Sequence, residues 1–416
     1  MRLGAFVAFL CLLASVSAAQ SQSLPIAKPE TVGMSSLRLE EIGKAIEREI
    51  DRDRLPGAVI AVARQGQLAY YEAFGYLNKQ EGVEMPKNAI FSIWSMTKPV
   101  VAVGALILHE EGLLALDEPV GTYLPELSGR VVAIGGDPQR TVPARRQPTV
   151  QDLMLHTSGW SYNYGDTPLG EMAPEGPSPI SSYSSGDDFI QALSRMPLRF
   201  HPGSEWDYGV GLDVLGVIIE RISGQSLGDF FQERIFDPLD MIDTAINIPR
   251  RDVTRHAQVL PVDPLTGASQ ESHKHTDLEF HCGGGCLAST ALDYLSFAQM
   301  LVNDGSLNGV RVLGRKTVEY MTADHLGPDV NTERLWALRN KNGYGFGLAV
   351  AVRRGSGVSG MMGSPGDFHW GGRNGTYFWV DPEEELAVVF MTASLGDIRP
   401  YHRQMIAGLV LQAIDD

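Results

Sequence analysis

The stretch Phe91-Ser92-Ile93-Trp94-Ser95-Met96-Thr97-Lys98-Pro99 runs into an unbroken apolar series over residues 100–108 and closes at Gly112. A helix that is apolar on every side is a buried one, so this segment predicts a central helix packed all round. Proline is tolerated in the first turn and not in the interior, which sets the start of the helix close to Ser95. Ser95 and Lys98 are three positions apart and would share a face at its N-terminal end. An amine shielded from water gives up its proton more readily, and can then take the proton of a neighbouring hydroxyl to create a nucleophile. The helix N-terminus adds positive potential and free N–H groups for an anion forming there. A Ser-x-x-Lys tetrapeptide alone is weak information, because a capping serine followed by a surface lysine reads the same way.

Outward from this helix the two ends of the chain mirror each other. Ser35 and Ser36 precede Leu39, Ile42, Ile46 and Ile50, the spacing of an amphipathic helix with a serine cap, which Leu55-Pro56-Gly57 ends. Residues 58–63 and 67–74, on either side of Arg64-Gln65-Gly66, predict a hairpin of buried strands. Near the other end, 344–352, 376–380 and 386–392 read as strands and 400–414 as an apolar helix. Helices and strands are segregated rather than alternating, which predicts an α+β fold: an antiparallel sheet with terminal helices packed on it. The middle carries helical patterns such as 226–234 and 291–303 and few strands. The expected division is a sheet domain from residues 20–99 and 301–416, a mostly helical domain inserted over 100–300, and an active site between them.

With 416 residues, 44% of them hydrophobic and 20% charged, the chain has the composition of a folded globular protein and not of a disordered or collagenous one. The balance of 34 basic against 50 acidic residues, a net charge of −16, repels phosphate backbones and argues against nucleic acid as a partner. Residues 1–19 stand apart: Arg2, an uncharged run over 3–16, then Ser17-Ala18-Ala19 before Gln20, the layout of a secretory signal peptide. The run is too short to span a membrane comfortably, and bulky Phe9 and Leu10 before Cys11 do not suit a lipid acceptor. A periplasmic or secreted protein with no membrane span after cleavage is expected. Cleavage leaves Cys282 and Cys286, separated by three glycines that let the loop close into a disulfide in an oxidising compartment. Metal binding with His281 is the rival, without the second pair of ligands that zinc spacing requires.

Two further segments bear on Ser95. His201 to Leu212 (His-Pro-Gly-Ser-Glu-Trp-Asp-Tyr-Gly-Val-Gly-Leu) places Tyr208 in a turn ahead of an amphipathic helix over 214–222. Phe368-His369-Trp370-Gly371-Gly372-Arg373-Asn374-Gly375 leads into the strand over 376–380, with glycines that allow close approach to the backbone. In this order and at these separations the three segments resemble the serine beta-lactamase and penicillin-binding protein superfamily, and most of all its class C-like branch of family VIII carboxylesterases and transesterases. The likeness runs from about residue 30 to the end and includes Leu153-Met154-Leu155-His156-Thr157-Ser158-Gly159, Pro238-Leu239-Asp240-Met241 and Gly283-Gly284-Gly285. It implies a beta-lactamase-like fold, Ser95 as the acylated nucleophile, Lys98 as its activator and Tyr208 as the proton-transfer partner. It also implies that His369-Trp370-Gly371 is the third motif, and that the N–H groups of Ser95 and Gly372 form the oxyanion hole. No metal or organic cofactor is implied.

The departures from the family pattern point to substrate. Val210 stands where the second motif usually has an asparagine that contacts a lactam side-chain carbonyl. The third motif lacks the lysine that would anchor a lactam carboxylate and carries Trp370 in place of threonine. Both changes favour a small neutral ester or acyl substrate, against which an indole can pack. Trp160, Tyr162 and Val210 are candidate substrate contacts, and the aromatic, Pro/Gly/Ser-rich loop 160–186 is expected to be a lid. Asp152, His156 and His369 would tempt a Ser-His-Asp reading, but no Gly-x-Ser-x-Gly elbow surrounds Ser95. Three activities stay open at this point: a carboxylesterase or acyltransferase, a beta-lactamase or D-Ala-D-Ala-type peptidase, and a non-catalytic acyl- or peptidoglycan-binding protein.

Overall fold

The computed structural model describes residues 24–172, 183–272, 275–335, 343–357 and 359–416. The expected signal peptide and residues 173–182 of the expected lid lie outside them. Helix α1 (Ser36–Asp51) starts where the serine pair places it: the Ser35 side chain accepts from the Arg38 N–H, and Leu39, Ile42, Ile46 and Ile50 face inward. The hairpin follows as β1 (Gly57–Arg64) and β2 (Gln67–Asn78), extended by the short β3 (Val83–Glu84). Helix α2 (Thr97–Glu110) is buried from Thr97 to Leu108 with Pro99 in its first turn, and a single 3-10 turn, Trp94–Met96, feeds into it.

The sheet is completed from the far end of the chain. Strands β4 (Tyr344–Phe346), β5 (Ala351–Arg353), β6 (Phe368–Gly371), β7 (Tyr377–Asp381) and β8 (Leu386–Thr392) join the first three in an eight-stranded sheet. The order is β4-β5-β6-β7-β8-β1-β2-β3, and every pairing is antiparallel. The central pair β1 and β8 is buried on both faces, which is why each reads as a continuous apolar run. Alternate residues serve different layers. Ala58, Ile60, Val62, Val388 and Phe390 pack with α1 and with α5 (Arg399–Leu411), whereas Val59, Ala61, Val389 and Met391 join the core around α2. Among the described residues, no helix is long and apolar enough to cross a membrane.

Three expectations change. The run 344–352 is two strands and not one, because Gly347 to Val350 turns the chain: the Gly347 N–H donates to the Val350 carbonyl, and Ala349 takes a φ of 65°. The middle of the chain contains a hairpin, Val131–Ile134 with Asp137–Pro143, around Gly135-Gly136; both glycines have positive φ, the signature of a two-residue turn. Helix α4 (Ala291–Val302), placed by sequence in the inserted domain, packs against β1, β7 and β8, so the sheet layer takes in chain from before residue 301. Helix α3 (Gly211–Ser223) packs on α2 and brings the second motif to Ser95.

Ile46 lies wholly buried between α1 and the sheet. Ile46→Ala is expected to cost about 2–4 kcal/mol of unfolding free energy in urea denaturation, with the slope of the transition unchanged.

Candidate active site

Ser95 sits in the 3-10 turn at the mouth of α2, where N–H groups have no acceptor inside the helix. The residue before it, Trp94, holds a φ of 48°, a conformation that costs a bulky residue on the order of 1–3 kcal/mol. Neighbouring contacts hold it there: the Arg373 guanidinium lies 5.3 Å above the indole, and the His275 ring meets it edge-on at 5.5 Å. The turn is tied further by the Tyr294 hydroxyl, which donates to the Met96 carbonyl at 2.8 Å, and by the Leu287 N–H, which donates to Thr97 Oγ1 at 3.1 Å.

The three residues singled out for chemistry converge. The Tyr208 hydroxyl donates to Ser95 Oγ at 2.8 Å, and Lys98 Nζ donates to the same oxygen at 3.3 Å. Lys98 is 1% exposed, and its other bond is to the Gly284 carbonyl at 2.6 Å. The faces of Tyr208 and Tyr162 lie 4.8 and 5.3 Å from Nζ. Lys98 is therefore held by carbonyl, hydroxyl and ring faces, with no carboxylate in direct contact among the described residues.

His156 packs 4.5 Å from the Tyr208 ring, and its Nδ1 accepts from the Gly209 N–H. Burial, reinforced by the charge of Lys98, pushes His156 well below the usual imidazole range, so it stays neutral and acts as a wall. The triad alternative has no geometry: Asp152 is bound by Arg146 and by Thr157 Oγ1.

The third motif is displaced by one residue from its expected reading. Trp370 faces the cleft side, with ring centres 5.7 Å from Tyr208 and 5.3 Å from Phe346. Strand alternation turns His369 to the opposite face, against Tyr344 and Tyr377, where burial and then Arg403 and Arg353 push its imidazole down to about 3. Gly372 cannot supply an oxyanion donor, because its N–H donates to the Thr376 carbonyl at 2.8 Å. The N–H of Arg373 takes no acceptor among the described residues. Arg403 holds the peptide between Gly372 and Arg373 from behind, donating to the Gly372 carbonyl at 2.5 Å. The two glycines are required by close approach. A Cβ on Gly372 would collide with the Ile93 carbonyl, and one on Gly371 with the Arg403 guanidinium.

Loop 160–186 is also corrected where it is described. Trp160 is 1% exposed and belongs to the main core, so it is not positioned as a substrate contact. Tyr164 and Leu169 are buried in a separate small cluster with Ala133 and Met196, and the Tyr162 N–H donates to the Tyr208 carbonyl at 3.1 Å. This part of the loop buttresses Tyr208. Tyr162 turns its hydroxyl to Asp213, and Val210 is a buried residue capping α3. Cys282 and Cys286 form a disulfide, and among the described residues no cluster of ligands suited to a metal exists. Asp213 was not signalled by the sequence: an acidic residue in the first turn of a helix reads as ordinary dipole compensation.

Gly372→Ala is expected to leave the fold intact and to lower turnover at least about tenfold by pushing β6 away from the turn that carries Ser95. Steady-state kinetics beside a thermal melt would check this.

The beta-lactamase family model matches residues 42–410. Protein Rv1367c of Mycobacterium tuberculosis is 32% identical over 88% of this chain and 92% of its own length. Lovastatin esterase of Penicillium rubens is 30% identical over 75% of this chain and 80% of its own. The structure of simvastatin synthase LovD from Aspergillus terreus matches with a TM-score of 0.76 at 22% identity, covering 90% of this chain and 98% of that one. The fold, the extent of the match and these relatives agree: the chain belongs to the beta-lactamase family, as a serine hydrolase of beta-lactamase fold with esterase and acyltransferase relatives.

Proposed function

We propose that the protein is an exported carboxylesterase that forms an acyl-enzyme on Ser95, with Lys98 and Tyr208 moving the proton. The observation that carries this reading is the convergence of the Tyr208 hydroxyl and Lys98 Nζ on Ser95 Oγ at the start of a buried helix. Lys98 in its amine form takes the serine proton as Oγ attacks the ester carbonyl, and Tyr208 passes a proton to the departing alkoxide. The oxyanion is received by the Ser95 N–H and, in place of Gly372, by the N–H of Arg373. Water then takes the acyl group from Ser95; an alcohol in its place would give acyl transfer.

Substrate class follows from what lines the cleft. At the third motif Trp370 offers an apolar surface beside Tyr208 and the motif carries no lysine to anchor a lactam carboxylate, which favours a neutral ester. The relative named lovastatin esterase supports the same direction. Export is supported by the leader-like composition of residues 1–19 and by the Cys282–Cys286 disulfide, which belongs in an oxidising compartment. The mature chain recovered from the periplasm or medium is expected to begin at Gln20, read by N-terminal sequencing; a chain retaining Met1 there overturns export with cleavage.

Wild type and Ser95→Ala would be mixed with a short-chain p-nitrophenyl ester and, separately, with a chromogenic cephalosporin. Ester turnover is expected to fall roughly a thousandfold or more in the variant, and intact mass should show an acyl adduct only on wild type. Ester turnover that survives Ser95→Ala overturns the nucleophile, and cephalosporin turnover as fast as ester turnover overturns the substrate class.

A further inference from the structure

Behind Lys98 lies a wholly buried carboxylate. Asp213 is 0% exposed in the first turn of α3, where the helix N-terminus favours an anion. Its Oδ1 accepts the Gly284 N–H at 2.7 Å and its Oδ2 accepts the Tyr162 hydroxyl at 2.9 Å. Two donors, one to each oxygen, is the pattern that satisfies an ionised carboxylate. Burial, and next the Asp213 charge, hold Tyr162 well above its usual range, so its hydroxyl remains a donor.

Gly284 is the point where this carboxylate meets the catalytic group. The same residue that gives its N–H to Asp213 gives its carbonyl to Lys98 Nζ at 2.6 Å. The glycine run 283–285 could not keep that orientation unaided, since each glycine is free to turn. It is held at its ends by the Cys282–Cys286 disulfide and in its middle by Asp213. Contact is close enough that a Cβ on Gly284 would lie 2.6 Å from the Tyr162 hydroxyl.

We propose that Asp213 is a positioning residue for Lys98: its carboxylate fixes Gly284 through the N–H, so that the Gly284 carbonyl points at Nζ and keeps it beside Ser95. This rests on the Ser95 and Lys98 roles proposed above. Asp213 touches no reacting atom. It acts through one glycine. The other titratable groups around the pair are Tyr162, Tyr208 and His156. Removing the carboxylate takes away the acceptor that orients Gly284, so the rate at which Ser95 reacts falls through misplacement of Nζ.

The test is the rate at which a fluorophosphonate modifies Ser95 as a function of pH, read by intact mass on the full chain. Asp213→Ala, which removes the acceptor of the Gly284 N–H, is expected to lower the plateau rate at least about tenfold, and Asp213→Asn, whose amide oxygen can accept the same N–H, is expected to restore most of it. Tyr162→Phe keeps the carboxylate and drops one of its donors; it is expected to lower the plateau severalfold. A folded Asp213→Ala with the wild-type plateau, or an Asp213→Asn no faster than Asp213→Ala, overturns the proposal. If Asp213→Ala does not fold, an unchanged plateau in Tyr162→Phe overturns it instead. A wild type that is not modified at Ser95 overturns the proposed function and not this inference, so the two fail separately.

Discussion

A lysine 1% exposed, at the start of a helix buried on every side, needs partners that satisfy its N–H groups without fixing its proton. A carboxylate in direct contact would hold the ammonium form. Here the partner is the neutral Gly284 carbonyl, and the carboxylate that is present, Asp213, stands behind that carbonyl. Much of the surrounding structure follows from this arrangement. The glycine run is bracketed by a disulfide, α3 lies across α2, and two tyrosine faces cover Nζ.

A related device works at the third motif. Arg403 grips the Gly372 carbonyl from the α5 side, which turns the next N–H away from the sheet ladder. At both places a charged side chain from a packed helix orients a backbone group, and at both a glycine is needed because the partner's backbone or side chain comes too near for a Cβ.

The elements that could be read from sequence are those whose signals are local. Ser35 with its 3–4 apolar spacing, Pro99 at the head of α2, and the continuous apolar runs of β1 and β8 each encode one element in a few neighbouring residues. Ser95, Lys98 and Tyr208 were legible because three motifs recur in order. What was missed depends on register or on distant packing. A one-residue step in β6 exchanges the faces of His369 and Trp370, and nothing in the motif itself sets that step. Trp160 looks like a binding aromatic until the core that surrounds it is assembled. Asp213 acquires its meaning only when residue 284 arrives beside it. The Gly135-Gly136 hairpin is the exception, since its turn signal was local and went unread.

The pairing of β1 with β8 joins Ala58 to Thr392, nearly the whole length of the chain apart. The first strand to leave the ribosome therefore has only one of its two neighbours until the last strand of the sheet follows. The β1–β2 hairpin and α1 must wait with one long apolar edge open, the state in which strands pair wrongly with other chains. The central pairing of the sheet therefore closes a loop of most of the chain, the long-range kind of contact that slows folding.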